Sequence, residues 1–424
     1  MRYDLLAIYA RGACLALDSY LLHRQDRHIQ RLQSYDLKSS HTQRKEIKYA
    51  LVSLTLQQAV KIGFILSQGN KRLWEWTVQL VAPIGGGFLG YVGKGVAFWV
   101  LFKLTEQAIS FPALTYHRFA ILRSPITARN ARLWIMVTGF GSLIDISTAA
   151  AKATLVMTAG WLIGERRLVQ VLIGVLYIGP LITIIPGLFP YFYDVKGPLP
   201  DGELRTQVEV MTSKIGFPLS NLYVIDSRDG PYQGFNHHLA MCLGFWRTKY
   251  ILISETLLEA DTVEEVIATI AHELGHWYHD HSTKAYFFKL PYAFLLLGFL
   301  YFGADPQLFS SFGLDTILFS SPIEPGVSGQ RYPLTLAFFL YSISVESAVR
   351  PIWNLVRNCL TQSQEHQADR FAAKLGYAAP LSSTLRKARD NDKNYKPLDR
   401  LYNLFFESHP EVDIRIQALE EMDR

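Results

Sequence analysis

Hydrophobic and polar positions along this chain sort into long apolar windows separated by basic or polar stretches. The best defined windows are Thr77–Phe102, Leu133–Gly164, Leu168–Phe192, Ala285–Phe302 and Pro333–Val349. A helix crosses the hydrocarbon of a bilayer in about 20 residues, so each window is long enough to span. Two weaker windows are interrupted: Leu5–Leu22 by Asp18, and Tyr49–Ser67 by Gln57, Gln58 and Lys61. Either these two are not spans, or their polar residues face a protein interior or a water-filled cavity. Lys61, Asp145 and Lys152 fit such a lining, and equally fit buried ion pairs. No long helix-free stretch lies at membrane depth, which predicts a helical bundle and argues against a barrel.

Composition agrees with that class, since 49% of the 424 residues are hydrophobic and only 19% are charged, a charge-poor balance for a soluble protein of this length. Basic residues then orient the bundle, because short loops rich in Lys and Arg stay cytosolic. If all the windows span, residues 23–48, with Arg24, Arg27, Arg31, Lys38, Arg44, Lys45 and Lys48, share a side with Arg118, Arg123, Arg129 and Arg132. Residues 193–284 and the C-terminus fall on that cytosolic side, and the N-terminus is lumenal. Leu5–Leu22 reads as a first span and not as a cleaved signal, because a basic segment follows it with no small-residue cleavage site. The net charge of +5 follows from these loops, and no aromatic-basic stacking motif accompanies it, so nucleic acid is not an expected partner. Cys14, Cys242 and Cys359 show no paired spacing and imply neither a disulfide framework nor a cysteine metal site.

The expected organisation is five spans over 1–192, a cytosolic segment over 193–284, two spans over 285–352 and a cytosolic region over 353–424. Within the first cytosolic segment, the turn-rich Pro198–Gly202 precedes an amphipathic stretch, Glu203–Ile215. Leu222–Ile225 and Lys249–Ser254 read as short strands, so a small α+β element is expected. Asp261 or Thr262 caps the next helix, with Glu264 and Glu265 in its first turn and Val266, Ile267 and Ile270 at helical spacing.

That helix carries His272-Glu273-Leu274-Gly275-His276. Imidazoles at i and i+4 share one face and can reach one Zn²⁺ at about 2.0–2.1 Å. Glu273 is rotated off the pair and suits a general base toward a water molecule. A hydrolytic zinc site needs a third protein ligand. A third His six residues after the second is absent, the position being Ser282. His279 and His281 lack the spacing to join the same sphere and read as solvated or supporting residues. Glu365 is the better candidate, with Asp369 one turn later, where a carboxylate can accept a ring N–H of a metal-bound His. On their own, Glu365 and Asp369 are also simply two charges on a polar helix.

Assembled, these residues resemble the zinc-type integral-membrane prenyl proteases that process C-a-a-X termini, and the similarity covers nearly the whole chain. It rests on Asp18–Gln25, Pro198–Leu204, Ile215–Leu219, His272–Trp277, Glu365 with Gln367-Ala368-Asp369, and Ser408-His409-Pro410 followed by Arg415. The resemblance implies a hollow α-barrel of about seven spans with the catalytic region attached. It implies one Zn²⁺ per chain on His272, His276 and Glu365, Glu273 as base, His409 steadying the transition state, and Asp369 and Arg415 beside the metal ligands. It implies isoprenylated C-termini as partners, bound along an edge segment that this chain matches loosely at Asn236–Met241, with Asn236, Leu239 and Ala240 as contacts. It further implies the endoplasmic reticulum or inner nuclear membrane. Three positions depart from the family pattern: Gln362 replaces an Arg, Ile121–Asn130 is unlike the usual loop, and the edge segment is altered. A quality-control membrane protease without prenyl preference and an inactive membrane scaffold are the rival readings.

Overall fold

The computed structural model describes residues 2–32, 37–121, 127–163, 195–218, 222–225, 240–243, 250–297, 306–314, 319–320, 330–331, 334–391, 395 and 397–424. The chain begins with α1 (Tyr3–Arg31), α2 (Leu37–Leu66), α3 (Gly69–Val81), α4 (Gly87–Tyr116) and α5 (Ala128–Ile163). After these come β1 (Val195–Pro198), α6 (Glu203–Ile215), β2 (Leu222–Ile225), β3 (Ala240–Leu243), β4 (Tyr250–Ser254), α7 (Glu255–Ala260), α8 (Val263–Tyr278) and α9 (His281–Leu297). Then follow α10 (Pro306–Ser311), β5 (Phe319–Ser320), β6 (Gln330–Arg331) and α11 (Leu334–Tyr341), which runs through a π-turn over Ser342–Glu346 into α12 (Ser347–Lys374). Last are α13 (Ala378–Asn391), α14 (Arg400–Phe406) and α15 (Val412–Met422). These elements form two compact units, Met1–Ile173 with Phe294–Ile352, and Gly174–Ala293 with Trp353–Arg424.

The first unit is a helical membrane bundle. Tyr3–Arg31, Gln43–Leu66, Gly87–Ala120 and Ala128–Ala159 are long and apolar enough to cross a bilayer, so both interrupted windows do belong to long helices. On α5, Leu133, Ile135, Met136, Val137, Phe140, Leu143 and Ile144 are all exposed. Leaving such side chains in water forgoes about 1.5–3 kcal/mol each, so this surface belongs against lipid. The window Thr77–Phe102 is corrected: it is not one span but is divided between α3 and α4. Pro83 sits in a 3₁₀ turn over Ala82–Ile84 there, and Gly85 (φ 82°) and Gly87 (φ 71°) take a left-handed backbone that turns the chain. The spanning helix accordingly begins at Gly87. Leu168–Phe192 lies outside the described residues. Lys61, Asp145 and Lys152 are all exposed; Lys61 and Asp145 line a cavity of about 490 Å³ in this unit, and Lys152 lies outside that lining.

The core of this unit gathers Tyr3, Trp74, Phe98, Phe309 and Phe339 from five helices. Phe98, Trp99 and Phe102 meet Phe339 edge-on, with ring centroids 4.7–6.1 Å apart, the arrangement that aromatic quadrupoles favour.

The second unit folds around a four-stranded sheet of order β1-β2-β4-β3, in which β2 and β4 are parallel and the other pairs antiparallel. Strand β4 is buried from Ile251 to Ser254 and paired on both sides. Strand β4 is therefore interior to the sheet, and the two edges are β1 and β3, the latter taking in Ala240 and Met241 of the expected edge segment Asn236–Met241. Helix α8 packs on this sheet with Val266, Ile267, Ile270, Ala271 and Leu274 in the core. Its start is fixed by a capping box, Thr262 and Glu265 each satisfying the other's backbone N–H.

Candidate metal centre

The apolar stripe of α8 turns His272 and His276 to one side, and α12 brings Glu365 opposite them. The two helices touch at their backbones, for a Cβ on Gly275 would stand 2.8 Å from Cα of Ala368. At this crossing the Nε2 atoms of His272 and His276 are 3.1 Å apart, and each lies 3.5 Å from an oxygen of Glu365. Three donors held tetrahedrally about 2.0–2.1 Å from one ion stand roughly 3.4 Å from one another. The spacing and the donor set, two imidazoles and a carboxylate, thus fit such an ion without rearrangement.

Each donor has its own support. Oδ1 of Asp369 lies 2.9 Å from Nδ1 of His272, and Arg415 clamps the same carboxylate through Nε at 2.8 Å and Nη2 at 2.7 Å. Arg415 also reaches Glu365, with Nη1 3.3 Å from Oε2. Behind His276, Nδ1 of His281 sits 2.9 Å from its Nδ1, and Nε2 of His281 is 3.4 Å from Oε1 of Gln367.

Charge follows from these contacts. Burial works against a charged His272, but the adjoining carboxylates of Asp369 and Glu365 prevail and lift it to about 9. His276 is pushed down to about 3 by burial and by the cationic His272 beside it. Burial pushes Glu365 up, and the hydrogen bond and charge of His272 together with Arg415 bring it down to about 2. Asp369, buried but bonded to His272 and Arg415, is held below the usual carboxylate range. The pocket therefore offers two ionised carboxylates and a neutral His276, and it must release the His272 proton to coordinate a cation.

Glu273 faces the same space, its carboxylate within 4.8 Å of the donor atoms of His272 and His276. Burial raises its carboxyl above the usual range, and it accepts the backbone N–H of Cys242 on β3. His409 is 65% exposed, with Nε2 3.7 Å from Oε1 of Glu365.

Comparison with known proteins places this geometry. Residues 198–423 match the model of peptidase family M48. The chain belongs to peptidase family M48. Residues 29–188 match the N-terminal region of CAAX prenyl proteases, described as five membrane helices, so this M48 protein is an integral-membrane metalloprotease. It is 32% identical over 254 residues to a CAAX prenyl protease 1 homolog of Arabidopsis thaliana, covering 58% of this chain and 53% of that protein. It is 31% identical over 367 residues to one of Oryza sativa, covering 83% and 79%, and 23% identical over 399 residues to CAAX prenyl protease 1 of Saccharomyces cerevisiae, covering 90% and 85%. The crystal structure of S. mikatae Ste24p shares its fold, with a TM-score of 0.72 at 23% identity over 99% of both chains.

In this M48 chain the structure brings together His272, His276, Glu365, Glu273, Asp369, Arg415 and His409. Ala240 opens the edge strand β3, while Asn236 and Leu239 lie outside the described residues. Sequence reasoning left His281 undecided and gave Asn358 and Gln362 no role. Asn358, Gln362, Glu365 and Asp369 fall at i, i+4, i+7 and i+11, one buried polar stripe on α12. Asn358 donates to the carbonyls of Leu404 and Phe405, and Gln362 to those of Asn403 and Glu407. Asn403 in turn donates to the carbonyl of His409. Gln362, a departure from the family pattern, thus ties down the loop that carries His409.

Proposed function

We propose that this chain is a zinc metalloendopeptidase that removes the C-terminal tripeptide from isoprenylated CAAX proteins or peptides. The observation that carries it is the triangle of His272, His276 and Glu365 donors with Glu273 beside it. His272, His276 and Glu365 would hold one Zn²⁺, which supplies Lewis-acid polarisation of the scissile carbonyl and of water. Glu273, desolvated and rigid, takes a proton from water at its carboxylate and returns it to the leaving amine. His409, exposed on the rim, donates from Nε2 to the developing oxyanion. Asp369 and Arg415 hold His272 and Glu365 in position. An extended peptide adds to the β3 edge at Ala240, alongside Asn236 and Leu239, through main-chain hydrogen bonds that tolerate varied side chains. The prenyl preference is supported by the family matches and by the names of the relatives. The resemblance to CAAX prenyl proteases supports the endoplasmic reticulum or inner nuclear membrane as its compartment, and the distribution of its basic loops supports a lumenal N-terminus and a cytosolic C-terminus.

The test compares a farnesylated C-a-a-X peptide, its unprenylated twin and an unrelated extended peptide, with Glu273→Gln as the blank. The prenylated peptide should be cut best. Equal cleavage of all three would replace this reading with a quality-control protease, and no cleavage by zinc-loaded protein would point to a scaffold.

A further inference from the structure

We propose that Gln362 is a positioning residue for catalysis, holding His409 in register with Glu365 through the backbone of the loop between α14 and α15. The proposal rests on the oxyanion role given to His409 above. Because the ring of His409 is 65% exposed, packing does little to fix it, and its place depends on where its backbone is held. A helix leaves its last carbonyls without partners inside the helix. In α14, which is only Arg400–Phe406, those carbonyls are served from α12. Nδ2 of Asn358 donates to the carbonyls of Leu404 at 3.2 Å and Phe405 at 3.0 Å. One turn further along α12, Nε2 of Gln362 donates to the carbonyl of Asn403 at 3.3 Å and, beyond the helix end, to that of Glu407 at 2.9 Å. Nδ2 of Asn403 then reaches forward to the carbonyl of His409 at 3.1 Å. Of these bonds, only the one to Glu407 joins the loop itself to α12.

Gln362 stands three residues before Glu365 on the same helix, so the loop is hung from the element that carries a candidate metal ligand. Its other end is held as well. Pro410 is buried and restricts His409, the residue before it, to extended backbone. Glu411 caps α15 by accepting the N–H of Ile414 at 3.2 Å. Between these anchors, Nε2 of His409 comes to rest 3.7 Å from Oε1 of Glu365. Both bonds of Gln362 go to carbonyls, so it acts on the loop and leaves Glu365 to Arg415. The Gln362 amide is buried, which makes water a poor substitute for its donors. An oxyanion donor works only at the position where charge develops, and a shift of about 1 Å in such a group costs about 10²-fold in rate.

Full-length wild type, Gln362→Met, His409→Ala and the double variant would be compared on a farnesylated C-a-a-X peptide, with zinc content and melting temperature measured for each. Methionine keeps the length and bulk of glutamine but donates nothing. Gln362→Met should lower kcat by about 10- to 100-fold, with KM and zinc content unchanged. The double variant should be no slower than His409→Ala, since a residue that acts through another adds nothing once that other is gone. A double variant slowed by the product of the two single losses would overturn the proposal, because Gln362 would then act elsewhere. A Gln362→Met enzyme at wild-type rate beside a slow His409→Ala would overturn it too, while leaving the role of His409 intact. His409→Ala at wild-type rate would remove the oxyanion role and this proposal with it. If Gln362→Met melts lower or loses zinc, Asn403→Leu, which deletes the bond to the His409 carbonyl at similar bulk, carries the same comparison.

Discussion

Gly275 and Ala368 meet backbone to backbone, and this contact sets the distance between the helix of the two histidines and the helix of Glu365. An alanine at 275 would favour helix by about 1 kcal/mol. Its Cβ, however, would lie 2.8 Å from Cα and 3.1 Å from O of Ala368, and overpacking against backbone costs about 1–3 kcal/mol. Gly275→Ala should therefore melt lower than wild type and bind zinc more weakly. Wild-type melting and zinc affinity would show that the helices can part without consequence.

Purified protein should carry about one zinc per chain, and His272→Ala, His276→Ala or Glu365→Ala should lose it, since each removes one of three protein ligands. Metal analysis decides, and full occupancy in Glu365→Ala would place the third ligand elsewhere.

Glu273→Gln keeps shape and hydrogen bonding but cannot take a proton. Zinc content should stay at the wild-type level while turnover falls by roughly 10²–10⁴. An active Glu273→Gln enzyme would remove the carboxylate from the mechanism.

His281 stands behind His276 as Asp369 stands behind His272. Removing such a supporting partner typically costs about 10–100-fold in metal affinity. His281→Ala should show that loss in a zinc-chelator competition, with the fold intact by circular dichroism. Unchanged affinity would leave His281 as a helix-end residue only.

Acid should weaken the second unit through Glu265. Burial pushes this carboxyl up, but Lys387, Thr262 and Ser383 prevail and bring it to about 2. A folded value below the unfolded one, near 4.3, gives stability that is present above that pH and lost as pH falls toward 2. Lys387 is partly exposed, so salt should screen its share. Glu265→Gln should flatten the decline in melting temperature between pH 5 and 3; an unchanged decline would assign the acid limb to other groups.

Much of this was legible in sequence because it is periodic. The apolar windows pointed to the membrane class, and the i, i+4 spacing on a capped helix put His272 and His276 on one face, as the structure has them. The break at Pro83–Gly87 was hidden because glycine and proline there interrupt the backbone without interrupting hydropathy. The stripe of Asn358, Gln362, Glu365 and Asp369 has helical period but is polar, so it looked like a solvated face until the carbonyls of residues 403–407 arrived from far along the chain. The place of β3 at the sheet edge depends on strand order, which hydropathy does not encode.

Asp369 receives the guanidinium of Arg415 and lies 2.9 Å from the ring of His272, so the candidate metal ligands are braced by contacts that need no metal. Stripping the ion with a chelator should leave the pocket shaped, and reloading should need only the departure of a proton. A site kept in shape this way would fill and empty with the free metal concentration alone, with no folding step between its two states.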